Sequence, residues 1–371
     1  MESFKLGTEV LPVRRESFEK RTRKLVVYSK LETTTLSTGP GTAFIALIPT
    51  VGCTWALSKS GGCSMCGYPN DSTLDPETDP AKYFIQEWDK HLEELSEIKA
   101  VKIFNSGSFL DPKEVPFQSQ KTIFEKISTL DNIEEVIIES RPEYINLHKK
   151  ELKELTDILQ NRSLWIGVGL ETSNDYINQS FINKGFNFEQ FLRCVKNATG
   201  CRVNVKSYVL LKPPFLTEKE AIEDAVQTIH DSIKAGCKII SLNPVTVHGD
   251  TLVDKLYKKR QFSPPWLWSV LEVLKRIAPY RPKDVKIICE PVALGKDRGS
   301  HNCGECDFLV GQEIEYYSLY NEFSPGLSKL KCPNSCADNW RWILENEGFL
   351  SRTSPIFFHR WQKKKNDSIA L

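Results

Sequence analysis

The 371-residue sequence lacks three features that assign many chains to a class at once. It has no excess charge of either sign, because 49 Lys and Arg stand against 48 Asp and Glu, so any nucleic-acid site must be a local patch. It has no apolar run approaching about 18 residues, which excludes an ordinary transmembrane helix. Its first residues lack the apolar core of a secretory signal, and we therefore expect a cytoplasmic protein with no membrane partner.

Cysteine is the residue type that stands out, with eleven in the chain. In a reducing compartment, clustered cysteines favour metal or cluster ligation over disulfides. Most of them fall in two tight groups. The remainder lack ligand spacing and are interpreted as small hydrophobic residues: Cys194, Cys201, Cys237 and Cys289.

Short β-branched runs alternate with longer amphipathic stretches, which predicts an α/β fold with a parallel sheet and right-handed crossovers. About six such units over roughly 250 residues favour a partial (β/α)6 barrel. A doubly wound sheet is the alternative, because periodicity alone does not show closure. The predicted strands are 43–50, 101–105, 135–140, 164–171, 202–211 and 238–243, with a seventh candidate at 285–291.

Helix-capping signals and changes in composition predict where helices and larger units of the chain begin and end. Residues 82–98 and 217–236 are amphipathic, and the second stretch opens with Thr217 as a predicted N-cap, with Glu220 three residues later. Three units are predicted along the chain: a basic N-terminal extension (1–40), the barrel (41–295), and a small C-terminal cysteine-rich module with a basic tail (296–371).

The first cysteine group comprises Cys53, Cys63 and Cys66 and follows the first predicted strand. The carboxyl end of a barrel strand is where chemistry is expected. Three thiolates there suit three irons of a four-iron cluster, with the fourth iron open for a substrate or cofactor. The alternatives are a structural zinc site with an unidentified fourth ligand, or buried free thiols.

The second group comprises Cys303, Cys306, Cys332 and Cys336, in C-x2-C and C-x3-C hooks. This is close to zinc-ribbon spacing and predicts a structural zinc ion in a closed tetrahedral shell. An auxiliary iron–sulfur cluster is the second interpretation, and unliganded cysteines are the third. A closed shell has no open position for chemistry, so we expect a stabilising or docking role.

The segment VGCTWALSKSGGCSMCGYP resembles the cysteine loop of the radical S-adenosylmethionine (SAM) superfamily. Its nine-residue gap is similar to that of the catalytic subunit of the elongator tRNA-modifying complex, and ESRPEYI (139–145) resembles the E-T-R-P-D-Y stretch of that enzyme. Together with FNSGSF, GLETSND, NKGF and LKPPF, the pattern most resembles the archaeal radical SAM protein family of archaeosine synthesis (the RaSEA family).

The resemblance implies a [4Fe–4S] cluster held by the first three cysteines, and SAM chelated at the open iron. Adenine packing falls to Met65 or Tyr68, and Lys184 in NKGF is interpreted as a solvated loop residue. The residues that the resemblance assigns to SAM binding are Gly107, Ser108, Glu139, Glu171, Lys206 and Asn243.

The same resemblance implies a lyase that acts on tRNA. A separate transferase subunit attaches a lysine to 7-cyano-7-deazaguanine at position 15, and the radical enzyme cleaves a carbon–nitrogen bond of that lysine to leave archaeosine. An electron donor is also implied. The alternatives are another radical SAM tRNA-modifying enzyme and a non-catalytic zinc-binding adaptor. Candidate tRNA contacts, which are equally typical of solvated faces, are Arg14, Arg15, Arg21, Arg23, Lys24, Arg360 and Trp361.

Overall fold

The centre of the molecule is a curled sheet of eight strands paired in chain order. The computed structural model describes residues 6–20 and 25–351, with side chains as far as residue 347. The first two strands form an antiparallel hairpin, and every later strand runs parallel to the one before it. The strands are β1 (Tyr28–Leu36), β2 (Gly39–Leu47), β3 (Ala100–Phe104), β4 (Glu135–Glu139), β5 (Ser163–Glu171), β6 (Val203–Leu211), β7 (Ile239–Pro244) and β8 (Lys286–Ile288).

Helices follow the parallel strands and bury their apolar faces on the outside of the sheet. None of the helices in the described ranges is both long enough and apolar enough to cross a membrane. The helices are α1 (Gly7–Glu19), α2 (Thr54–Leu57), α3 (Pro80–Asp89), α4 (Phe117–Ser128), α5 (Pro142–Leu147), α6 (Lys149–Leu159), α7 (Asp175–Ile177, continued by a π-helical turn, Asn178–Ile182), α8 (Phe188–Thr199), α9 (Glu218–Lys234), α10 (Leu252–Lys258), α11 (Leu267–Ile277), α12 (Asp307–Tyr320) and α13 (Cys336–Ser351).

The inside of the curled sheet has an apolar floor. Ile45, Ile137, Trp165 and Ile288 come from four different strands and meet in one buried cluster. Strands at the two ends of the sheet contribute to it, so the sheet curls into a partial barrel, as predicted, and the doubly wound alternative is wrong. Paired residues of neighbouring parallel strands face the same side, so Asn204, the partner of Trp165, points inward.

Every predicted strand is present, and one strand was missed. β1 lies within the predicted N-terminal extension, where its sequence, YSKLETTTL, has too few apolar residues to stand out. Only Thr34 and Leu36 of this strand are buried. The predicted division of the chain into an N-terminal extension, a barrel and a C-terminal module stays a prediction.

A seam remains between β8 and β1, which do not pair with each other. The helix α12 covers it. Asn321 Oδ1 accepts a hydrogen bond from the Ile287 backbone (2.6 Å), and Ser318 Oγ accepts one from the Cys289 backbone (2.8 Å). On the other side of the seam, Thr35 Oγ1 donates to the Ser318 carbonyl (3.3 Å). The α12 segment therefore supplies edge-strand groups with hydrogen-bond partners that a further strand would otherwise provide.

The predicted capping box of α9 is confirmed. Thr217 Oγ1 accepts from the Glu220 backbone at 3.2 Å, and Glu220 Oε2 accepts from the Thr217 backbone at 3.0 Å. We expect Thr217→Ala to lower the free energy of unfolding by about 1 kcal/mol, because an orphan N–H of the first turn loses its partner. Denaturant unfolding measures this, and an unchanged midpoint would contradict the capping role.

Candidate active site and metal centre

The first cysteine group lies in the long loop between β2 and α3, with Cys53 as the N-cap of α2. Burial is the main cause that raises the pKa of Cys53 to about 11 and that of Cys66 to about 12, and the charge of Cys63 contributes to both values. The three thiols therefore interact electrostatically, as groups gathered in one place do. Thiols that resist ionisation in this way need cations or bound metal to become thiolates.

Two adjacent glycines let the loop fold closely over its neighbours. Gly61 and Gly62 have φ angles of +74° and +84°, which non-glycine residues rarely adopt. A Cβ at Gly61 would lie 2.6 Å from the Leu11 Cα of α1, and one at Gly62 would lie 2.9 Å from the Ala56 Cα of α2. The loop is thus clamped between these two helices.

Arg14 of α1 is the side chain that fastens the loop. Its side chain is 2% exposed, and its guanidinium donates to the Gly61 carbonyl (3.1 Å), to the Cys66 carbonyl (2.7 Å) and to Asn70 Oδ1 (2.9 Å). This corrects the prediction that Arg14 contacts tRNA, because so deeply buried a guanidinium is not at the surface where a phosphate backbone binds. Arg15, its neighbour on α1, is exposed.

Two further cations lie beside the thiols. Arg141 lies over the rings of Trp55 (5.2 Å) and Phe186 (5.5 Å) and donates to the Lys184 carbonyl at 2.9 Å. Burial acts to lower the pKa of Arg141, but Glu143, Cys63 and Cys53 hold it above its ordinary value.

Lys184 was predicted to be solvated, and that prediction is wrong. Its side chain is buried, and its Nζ lies 2.7 Å from Glu171 Oε1. Burial opposes the charged form, yet Glu171 and Cys63 raise the pKa of Lys184 above its usual range. Three thiols among buried cations form a donor set that fits an anionic iron–sulfur cluster.

The loop after β3, Asn105–Ser108, is held by a carboxylate that the sequence reasoning missed. Glu114 is buried, and its Oε2 accepts from the Ser108 backbone (2.8 Å) and from Asn105 Nδ2 (3.2 Å). Burial raises the pKa of Glu114 to about 8. Gly107 lies so close to this carboxylate that a Cβ there would collide with it. The signal in the sequence was an acid six residues after Ser108.

The side chains predicted to bind SAM lie at two depths of the barrel. Glu171 ends β5 and pairs with Lys184 near the cysteine loop. Glu139 ends β4 and accepts a hydrogen bond from the Tyr208 hydroxyl, while burial raises the pKa of Glu139. Asn243 of β7 accepts from Ser241 Oγ at 2.9 Å.

Lys206 belongs to a different group of charges. It faces inward on β6, in register with Gly167, and its Nζ lies 5.3 Å from the Tyr208 ring centroid. Burial, with a smaller contribution from Lys102 of β3, lowers the pKa of Lys206 to about 8 against the opposing charges of Glu290, Glu139 and Glu135.

The two adenine-packing candidates lie in different surroundings. Met65 is buried in an apolar cluster with Cys63, beneath the loop. Tyr68 is 55% exposed, and its ring packs against His248 with centroids 5.4 Å apart. The ring of Tyr68 is therefore the more accessible flat surface.

The second cysteine group is already arranged around a common centre. The four Sγ atoms all lie within 4.8 Å of one another, with Cys303 and Cys332 at 3.4 Å and Cys306 and Cys336 at 3.5 Å. Four sulfurs about 2.3 Å from one ion in a tetrahedron lie about 3.8 Å apart, so the spacing fits a single metal. Although burial opposes it, hydrogen bonds from Cys336 and Cys303 lower the pKa of Cys332 to about 7.

Within the described residues, no metal-binding group of three or more cysteine, histidine or acidic side chains besides this one reaches that spacing. The first group is wider, as expected of thiolates that bind separate irons of one cluster and not a shared ion.

Neighbouring side chains hold the second group against the barrel. Trp268 Nε1 donates to Cys336 Sγ (3.2 Å), and Asn302 Nδ2 donates to Cys306 Sγ (3.4 Å). Such N–H···S contacts orient and stabilise thiolate ligands. Cys306 caps α12 and Cys336 begins α13, so the four-cysteine site joins the two C-terminal helices.

Comparison with known proteins decides the family. Residues 47–227 match the model of the radical SAM superfamily. The archaeosine synthase subunit beta of Thermococcus kodakarensis is 36% identical over 314 residues, covering 83% of this chain and 93% of the relative. The chain belongs to the radical SAM family of archaeosine synthase beta subunits.

Two further likenesses accompany this match. The archaeosine synthase subunit beta of Methanosarcina acetivorans is 34% identical over 309 residues, covering 83% of this chain and 86% of the relative. The solved structure of the archaeal Elp3 of Methanocaldococcus infernus superposes with a TM-score of 0.49 at 14% identity, covering 68% of this chain and 60% of that one. Radical SAM enzymes use a [4Fe–4S] cluster and SAM, and this family is one of them.

The clamp on the cysteine loop gives the first prediction for the site. We expect Arg14→Met to lower the free energy of unfolding by about 2–3 kcal/mol, because two carbonyls and an amide lose a charged donor. The iron bound per chain after reconstitution should fall with it. Arg15→Met on the exposed face of the same helix is the matched control, and equal iron contents in the two variants would refute the clamp.

The second prediction concerns the four-cysteine site. We expect Cys306→Ser to abolish binding of the metal at this site and to loosen α12 and α13, because metal binding contributes folding free energy. Metal analysis measures the first effect, and the fluorescence of the buried Trp268 and Trp340 reports the second. Cys201→Ala, a core cysteine outside both groups, is the control. Unchanged metal content in Cys306→Ser would contradict the assignment.

Proposed function

We propose that this chain is the radical SAM lyase of archaeosine synthesis, which cleaves a carbon–nitrogen bond in the lysine adduct of 7-cyano-7-deazaguanine at position 15 of tRNA. The observation that carries the proposal is the identity of 34–36% with two archaeosine synthase beta subunits, over 83% of this chain. The cysteine loop and its buried cations support it, because they fit the cofactor that this chemistry requires.

When bound, the cluster and SAM supply a 5′-deoxyadenosyl radical that removes a hydrogen atom from the substrate. The chain holds these groups with Cys53, Cys63 and Cys66. Arg14 fixes the loop, and Arg141 and Lys184 offset its negative charge.

The remaining SAM contacts are assigned by position. The backbone of Gly107 and Ser108, which Glu114 holds in place, would bind the methionine end of SAM. Glu171 and Asn243, at the ends of β5 and β7, are assigned to its ribose and adenine, with the Tyr68 ring against the adenine. Glu139 accepts a hydrogen bond from the Tyr208 hydroxyl and so fixes the orientation of that hydroxyl.

The partners are proposed from the relatives and from charge. Those relatives are named as the beta subunit of archaeosine synthase, so we infer a complex with the lysine-transferring subunit. Among the candidate tRNA contacts, Arg15 is exposed on α1. Arg21, Arg23, Lys24, Arg360 and Trp361 lie outside the described residues and stay predictions, as does the electron donor.

We assign zinc to Cys303, Cys306, Cys332 and Cys336. Their sulfur–sulfur separations fit one tetrahedral ion, and an auxiliary four-iron cluster would need its ligands further apart. Anaerobic reconstitution should therefore yield about four irons and about one zinc per chain. About eight irons would move the second site to an auxiliary cluster.

The test of the function uses Cys66→Ala. The wild-type holoprotein with SAM, dithionite and lysine-modified tRNA should form 5′-deoxyadenosine and archaeosine, and tRNA without the lysine should not support archaeosine formation. Cys66→Ala should lose SAM cleavage by at least about 100-fold while keeping its zinc, because one iron loses its ligand. Cys194→Ala, a buried cysteine away from the loop, is the matched control. Retained cleavage in Cys66→Ala would refute the ligand assignment.

A further inference from the structure

Two lysines inside the barrel have no carboxylate partner. Lys102 of β3 is buried, and its Nζ donates to Thr34 Oγ1 at 2.5 Å. Lys206 of β6 is half-buried and lies over the Tyr208 ring. Within the described part of the chain, neither ammonium has an Asp or Glu oxygen within 4.0 Å. Burial lowers the pKa of both lysines, and the charges of Glu290 and Glu135 offset this only in part.

The other buried lysines of this protein are treated differently. Lys184 lies 2.7 Å from Glu171, and Lys212 lies 2.5 Å from Glu218. Buried charges in proteins are ordinarily paired, because leaving an ammonium without an anion costs free energy. The unpaired lysines inside the barrel therefore lower the stability of the fold. A bound anion would offset this cost, because it would supply the missing partner for each ammonium group.

Three carboxylates act on these lysines electrostatically, and they are Glu290, Glu139 and Glu135. Glu290, after β8, is exposed, and its Oε1 lies 3.5 Å from the same Thr34 hydroxyl that Lys102 contacts. Glu139 is engaged by the Tyr208 hydroxyl. Glu135 is buried and accepts from the Ser37 backbone at 2.8 Å, so Glu290 is the exposed carboxylate beside the two ammonium groups.

Glycines of β5 and a tyrosine of β6 line the barrel interior beside these lysines. β5 presents Gly167 and Gly169 to the interior, next to the Trp165 floor. A Cβ at Gly167 would lie 2.6 Å from the Tyr208 hydroxyl, so the glycine admits that ring. The interior beside Lys206 therefore combines the polar Tyr208 hydroxyl with the apolar floor around Trp165.

We propose that Lys102 and Lys206 bind the α-carboxylate of the lysine moiety carried by the modified tRNA base, and that Glu290 accepts its α-ammonium. A zwitterion matches two ammonium groups and one carboxylate, and the remaining side chain would extend towards the cysteine loop. This inference rests on the proposed function and deepens it. It also reassigns Lys206 from SAM binding, as predicted from the resemblance, to the carboxylate of the substrate.

The experiment uses a small probe in place of tRNA. Nε-(1-iminoethyl)-L-lysine carries the zwitterion and an amidine on its side-chain nitrogen, and N-(5-aminopentyl)acetamidine lacks only the α-carboxylate. Calorimetric titration of the reconstituted wild type should show binding that weakens at least about tenfold when the carboxylate is absent. Lys102→Met and Lys206→Met should each weaken binding of the complete probe by a similar factor. Lys153→Met, on the exposed face of α6, is the matched control.

Two further measurements, the unfolding midpoint and the affinity for SAM, distinguish substrate binding by these lysines from a structural role and from SAM binding. Each lysine variant should keep or raise its unfolding midpoint, because it removes an unpaired buried charge. A lowered midpoint would mean a structural role and overturn the inference. A tenfold loss of SAM affinity in either variant would assign the lysines to SAM and also overturn it, as would equal binding of the two probes.

Different results would refute the proposed function and the proposed role of Lys102 and Lys206. Absence of archaeosine formation by the wild type on lysine-modified tRNA would refute the proposed function, whatever the probe does. Normal KM and turnover for lysine-modified tRNA in Lys102→Met and Lys206→Met would refute the inference alone.

Discussion

The electrostatic balance around the cysteine loop is the constraint on which the rest of the structure depends. Two of the three thiols gathered at one end of the barrel do not ionise readily, since burial raises the pKa of Cys53 and Cys66. The fold answers with Arg14 on the loop backbone and with Arg141 and Lys184 beside the thiols. These cations come from widely separated parts of the chain, so the site forms only when α1, the end of β4 and the segment before α8 are all in place.

The same principle explains the contrast between the two ends of the barrel interior. Near the loop, the buried Lys184 is paired with Glu171. Inside the barrel, Lys102 and Lys206 have no such ion pair within the described residues. Proteins commonly give up stability where they bind ligands, and in the roles proposed above this imbalance separates the residues that bind substrate from those that hold the cofactor.

Sequence reasoning was most successful where the signal is local. The parallel strands are continuous apolar runs, the α9 cap is a four-residue motif, and both cysteine groups show in their spacing. It failed where a residue acts across the fold. Arg14 lies in a basic run and Lys184 in a polar loop, and nothing near them indicates that they are buried. Glu114 was passed over because its role depends on a turn that brings it under Gly107. β1 was missed because most of its residues are polar.

The covered seam between β8 and β1 has a consequence for self-association. The edge of β8 is blocked by Asn321 and Ser318 of α12, and α12 is capped by Cys306 of the four-cysteine site. A chain that loses this metal therefore also loosens the helix that shields an open strand edge. Exposed edges pair with edges of other molecules. Loss of the metal from these four thiols would therefore appear as aggregation through the uncovered β8 edge.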